Sequence, residues 1–277
     1  MPRVQIEVDL AYEVQSACSF LFQVAVAGGG PQRILDESLS LNDGPPPGEI
    51  AIPPGGLRGH RLRAEPGELR LAYRAEVQTE PARMAAPIPP AAFVDVDPAA
   101  IPFTYPSRYC ESNRLMNAAA DRFGSVPPAE VPAAVCDWIH ATLAYTPGST
   151  NADTTAADVF LSRRGVCRDY AHLATTLCRA LGIPARYVAG YLVDLQPPDF
   201  HAVTEVFLGG RWWLFDATRL APLEGFVRIG AGRDAADISF ATFDGPAQLQ
   251  DMRVTAAFAD GTQTDPSDLT PLSLCPE

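Results

Sequence analysis

Histidine is scarce in this chain, paired-cysteine motifs are missing, and positive charge is outnumbered. Four histidines accompany six cysteines: Cys18, Cys110, Cys136, Cys167, Cys178 and Cys275. No two cysteines stand in C-x-x-C spacing, so the tight ligand clusters of a structural zinc site are not present in the sequence. Neither a metal nor a cofactor is expected. There are 21 Lys+Arg against 33 Asp+Glu, a net charge of -12. Such a chain gains nothing from neutralising phosphates and is not drawn to an anionic bilayer. This argues against nucleic acid and against a membrane as partner. No apolar run approaches the ~18 residues of a membrane span. The stretch "SFLFQVAVAGGG" is short, β-rich and broken by glycines. The opening "MPRVQIEVDL" alternates charged and apolar residues and lacks the apolar stretch of an export signal. A cytoplasmic location with reduced thiols is the expectation.

What is present is a globular composition: 277 residues, 47% hydrophobic and 19% charged. The length suits one large domain or two modest ones. Residues 1–105 read as β. "VQIEVDLAYEV", "FLFQVAVAG", "RILDESLSL", "LRGHRLRAE" and "LRLAYRAEVQT" alternate or cluster apolar residues at strand length, and Pro/Gly segments such as "NDGPPPGEIAIPPGG" separate them. A run of strands without helical period predicts a β-sandwich-like N-terminal domain. The proline-rich "EPARMAAPIPPAAFVDVDPAAIPFTYP" reads as a linker, or as a strap along a domain surface.

The second domain, 106–277, has a different texture. "ESNRLMNAAADRFG" reads as a helix ended by Gly124. "PPAEVPAAVCDWIHATLAY" reads as another, with Val131, Val135, Trp138, Ile139 and Thr142 on one face. "NADTTAADVFLSRRG" reads as a third, with Asp153 as N-cap. A fourth contains Cys167, and strands "ARYVAGYLV", "HAVTEVFL" and "RWWLFD" follow. Helices followed by an antiparallel sheet make an α+β domain.

Cys167 follows Gly165 and Val166, and Gly182 with Pro184 stops the helix. The cysteine therefore sits in the first turn, where unpaired N–H groups and the helix dipole favour an anion. Arg164 and Arg168 add positive charge nearby. Both effects favour the nucleophilic thiolate. Cys178, three turns on, has no such advantage and reads as core. His172 is turned well away from Cys167 around the axis and reads as a packed histidine.

"DFHAVTEVFLGGRWWLFDATR" carries a second signal. Gly209-Gly210 marks a two-residue hairpin turn. Leu208 then pairs with Arg211, His201 with Thr218, and Asp216 lies diagonally opposite His201, roughly 7–8 Å away by Cα. A histidine that takes the nucleophile's proton and a carboxylate that orients it are what nucleophilic catalysis requires. Glu205 shares that face and reads as a rim residue. Arg233, Asp234 and Asp237 in "GRDAADISF" read as a loop salt-bridge network, with substrate contact as the alternative.

The segments "GVCRDYAHLATTLCRALGIPARYVAGY" and "HAVTEVFLGGRWWLFDATR" together resemble the transglutaminase-like superfamily, papain-like folds with a Cys-His-Asp triad. The nearer resemblance is to bacterial transglutaminase-like proteins with an N-terminal β domain. "PSRYCESNRL" and "GRDAADISFATFDG" look like further marks of that group. The resemblance implies Cys167 as nucleophile, His201 as base and Asp216 as orienting acid. It departs at Val203, where relatives often have Trp, and at Ala217, where they often have Pro. The first oxyanion donor would be the Cys167 N–H. For the second, Trp138 and Tyr145 offer side-chain donors, and both read as core aromatics. The implied activity is thioester-forming amide chemistry on a peptide or small amide, as a peptidase or amidase or as an acyl transferase. The alternative is a catalytically silent fold used as a peptide- or ligand-binding module.

Overall fold

The computed structural model describes residues 1–52, 56–259 and 261–275. Alternation in sequence becomes alternation in burial. In β1 (Arg3–Val14) every second side chain from Val4 to Val14 is buried. β2 (Cys18–Phe22), β3 (Gln32–Leu41), β4 (Gly48–Ile52), β5 (Leu57–Ala64) and β6 (Gly67–Thr79) continue the expected β run. β4 lies inside the Pro/Gly stretch expected as a separator; Pro53, Pro54 and Gly55 of that stretch fall outside the described residues. After β7 (Ala82–Arg83) come α1 (Ser112–Phe123), α2 (Val131–Thr142), β8 (Ala144–Tyr145), α3 (Ala156–Ser162), β9 (Arg164–Gly165) and α4 (Cys167–Ala180). The chain ends in strands: β10 (Ala185–Leu192), β11 (His201–Leu208), β12 (Arg211–Phe215), β13 (Phe226–Gly232), β14 (Ala241–Phe243), β15 (Ala247–Phe258) and β16 (Leu272–Ser273).

The expected α+β arrangement is present. One sheet has the order β15-β1-β6-β3 and a second the order β14-β2-β5-β4. They share a core containing Leu10, Tyr12, Phe20, Phe22 and Leu71, which makes them a sandwich. The third sheet, β13-β10-β11-β12-β16-β7, is antiparallel throughout. The helices cover one of its faces, where Leu173 and Leu177 of α4 share a core with Val206 and Phe215.

Strand pairing crosses residue 105 in both directions. β15 lines up with β1, Val8 opposite Val254, and β14 with β2, Leu21 opposite Thr242. β7 leaves the sandwich side and pairs with β16. The helical unit and most of its sheet thus lie in the chain between strands of the sandwich, while β16 follows the last of them. The proline-rich stretch is a strap: Met84 and Ile88 pack on the helical core, and the Phe103 ring meets Trp212 edge-on at 5.2 Å.

Two local expectations are corrected. α3 is capped by Thr155 and not Asp153: Asp158 accepts from the Thr155 N–H at 3.0 Å and Thr155 from the Asp158 N–H at 3.4 Å. A Thr with an acid three residues on supplies both halves of the reciprocal cap. On α2, Val131, Val135 and Ile139 are buried, whereas Thr142 at the helix end is exposed and bonds back to the Trp138 carbonyl.

Candidate active site

Cys167 is the first residue of α4. Two features fix that start. The Asp169 carboxylate, buried, accepts from the Val166 N–H at 2.9 Å and from the Thr150 hydroxyl at 2.6 Å, which satisfies an otherwise unpaired donor at the helix entry. Gly165 leaves room for this: a Cβ there would lie 2.6 Å from the Cβ of Asp169. The thiol is half-buried, while the other five cysteines are buried. Its sulfur stands 3.8 Å from the Phe200 carbonyl, one residue before His201.

The hairpin has the expected register. Leu208 pairs with Arg211 and Thr204 with Phe215 across Gly209 and Gly210, both at positive φ. His201 and Asp216 meet: Nε2 donates to Asp216 Oδ2 at 2.8 Å, with both side chains withdrawn from solvent. The second oxygen of Asp216 accepts from the Thr218 N–H and hydroxyl, each at 2.7 Å. His201 Nδ1 is buried and has no hydrogen-bond partner among the described residues. Burial alone would lower the pKa of the ring. The charge of Asp216 and its hydrogen bond, with a further contribution from Cys167, outweigh that and push it up to about 10. For Asp216 burial acts upward, and the facing imidazolium with the His201 and Thr218 hydrogen bonds carries it below the usual carboxylate range.

The arginines expected to support the sulfur do something else. Arg168 binds Asp169 at 3.0 Å and the Asn151 carbonyl at 2.9 Å, and Arg164 is exposed. The cation beside Cys167 is instead His201. Glu205 is not a rim residue. It is buried in an ion cluster with Arg186 at 2.6 Å and Arg228 at 3.0 Å, because two arginines on neighbouring strands of the sheet compensate its charge. Arg233 and Asp237 form the expected ion pair, and buried Asp234 accepts from the Tyr109 and Ala236 N–H groups. His172 stacks on Tyr109 and accepts from the Ala235 N–H at 3.1 Å, with its pKa pushed down to about 4 by burial. Trp138 lies between Arg122 and Arg163 as a packing aromatic.

Tyr145 differs from its expected core role. The parallel pair β8–β9 sets it beside Gly165, two residues before the nucleophile candidate. Its hydroxyl interacts with both the backbone and the sulfur of Cys167; burial first, and then the sulfur's charge, push its pKa up. No periodicity announces a two-residue bridge. The one sequence signal was the phenol itself, upstream of the cysteine helix. A cavity of about 350 Å³ opens beside Cys167 and His201. Among the described residues no group of three or more His, Cys, Asp or Glu could hold a metal ion.

A family model described as the transglutaminase-like superfamily matches residues 117–217, which contain Cys167, His201 and Asp216. A candidate cysteine protease from Cytophaga hutchinsonii, known from a crystal structure, is 41% identical over 98% of this chain and 97% of that one, with a TM-score of 0.91. An uncharacterised protein of Mycobacterium leprae is 32% identical over 144 residues, 48% of this chain and 51% of that protein. A protein-glutamine γ-glutamyltransferase of Pseudomonas aeruginosa is 30% identical over 159 residues, 55% of this chain and 22% of that protein. The matched stretches span about half or less of these curated relatives. The sandwich, the inserted α+β unit and the cysteine facing a carboxylate-bound histidine agree with these likenesses: the chain belongs to the transglutaminase-like superfamily.

Proposed function

We propose that the protein is a cysteine-dependent amide hydrolase, a peptidase or amidase. The observation that carries the reading is the His201–Asp216 pair with its free Nδ1 beside the half-buried Cys167. In this reading His201 already holds the proton of the Cys167 sulfur, and that sulfur attacks the amide carbonyl. The Cys167 N–H at the helix start and the Tyr145 hydroxyl receive the charge that develops on the oxygen. The C–N bond breaks as His201 returns its proton to the departing amine, leaving a thioester on Cys167. Water, deprotonated by the now neutral His201, releases the acid and restores the starting pair of sulfur and protonated His201. An amine in place of water would give transamidation. The chain has no lysine, all 21 basic residues being arginine, so it offers no ε-amine of its own as acceptor.

Iodoacetamide competition is the test. At pH near 6, Cys167 is expected to label at least tenfold faster than the five buried thiols, and His201→Ala is expected to remove the advantage. An amide library incubated with wild type and with Cys167→Ser should show hydrolysis by the wild type alone. Uniformly slow labelling with no turnover would instead make the fold a ligand-binding module.

A further inference from the structure

The cavity beside Cys167 has a wall that the family match does not reach. Tyr187 and Phe200 lie within residues 117–217, but Ile229, Ile238, Phe240 and Met252 lie beyond them. Phe240 leads into the strand that joins the second sandwich sheet, and Met252 sits on β15 of the first. The Phe200 and Phe240 rings stack at 5.0 Å with an 8° angle, so the aromatic surface begins one residue from His201.

The polar groups around this wall are already committed. Gln23 accepts from the Ser239 N–H at 3.1 Å and donates to the Asp237 carbonyl at 3.4 Å. The Ser239 hydroxyl donates to the Ala241 carbonyl at 2.9 Å, and the Tyr109 hydroxyl to the Ala152 carbonyl at 2.7 Å. Arg168 is held by Asp169. Asp199 is the acidic residue of the lining, and a negative group entering beside it would be repelled. A wall of this kind rewards buried apolar area and penalises a charge that it cannot pair. A volume of about 350 Å³ is at the small end for ligand pockets, enough for one bulky side chain and its amide.

We propose that the substrate carries a bulky apolar group, aromatic or branched aliphatic, directly beside the scissile amide, and that Phe240 and Met252 select it. This rests on the amide chemistry assigned above to Cys167 and His201. It also assigns the sandwich a role: its strands supply the specificity wall, while the inserted unit supplies the reacting groups.

Binding to the Cys167→Ala protein separates the two ideas, since no chemistry is required. Calorimetry would compare N-acetylphenylalaninamide, N-acetylglycinamide and N-acetylaspartic acid α-amide. The phenylalanine compound should bind on the order of tenfold or more tighter than glycine, and the aspartate compound weakest. Phe240→Ala should abolish the preference, and Ala235→Phe, which fills the cavity, should abolish binding. Equal affinities, or a preference for the aspartate compound, would overturn the proposal. The ranking on the unaltered cavity is decisive even if Phe240→Ala fails to fold. Preference without any hydrolysis by the wild type would overturn the enzyme reading and keep the pocket; hydrolysis without preference would do the reverse.

Discussion

Asp216 uses both carboxylate oxygens, one for His201 and the other for Thr218, so its position and its charge are fixed together. Replacing it by Asn keeps the shape and removes the charge that raises the histidine. Asp216→Asn is expected to lower turnover on the order of 10³-fold or more, with amide hydrolysis rates as the readout. The same pair sets a pH signature for stability. His201 has a folded pKa of about 10, above its ordinary 6.5, so its contribution is complete below about pH 6.5 and is lost as the pH rises towards 10. Asp216 is depressed, so its contribution is complete above about pH 4 and is lost as the pH falls through the folded value. Urea midpoints should therefore plateau between about pH 4 and 6.5 and decline on both sides. Relative to Asp216→Asn, the wild type should lose its advantage between pH 6.5 and 10. A constant gap across that range would contradict the assignment.

At the scale of elements, the start of α4 depends on a side chain that is absent. Gly165→Ala would push a methyl group into Asp169, disturbing the acceptor of the Val166 N–H. We expect a loss of ~1–3 kcal/mol in stability, read as a lower urea midpoint, together with slower Cys167 alkylation. How much of the site is legible in the sequence follows from the same distinction. The His201–Asp216 meeting is legible because a Gly-Gly turn fixes the register and a period of two fixes the face. The place of Cys167 is legible from Gly165 before it and Gly182 after. Tyr145 is not, since a two-residue parallel bridge leaves no periodic trace. Glu205 is misread because alternation gives the face of a strand and not what covers that face; Arg186 and Arg228 come from other strands.

Over the whole molecule, the sandwich strands are legible one by one, but their partners are not. Nothing in "AQLQDMRVTAAF", where every position but Val254 is exposed or partly so, says that it belongs beside β1. Deleting 247–258 would uncover the edge of β1 and remove Met252 from the cavity. The shortened chain is expected to aggregate, visible as large species in sedimentation velocity; a monodisperse monomer of wild-type stability would refute the pairing. The pairing also has a temporal side. Val8 waits for Val254, and at ordinary rates of translation that interval is on the order of ten to fifty seconds. Throughout it, β1 stands outside the ribosome with its β15 flank unpaired and its alternate apolar side chains ready to pair with another strand.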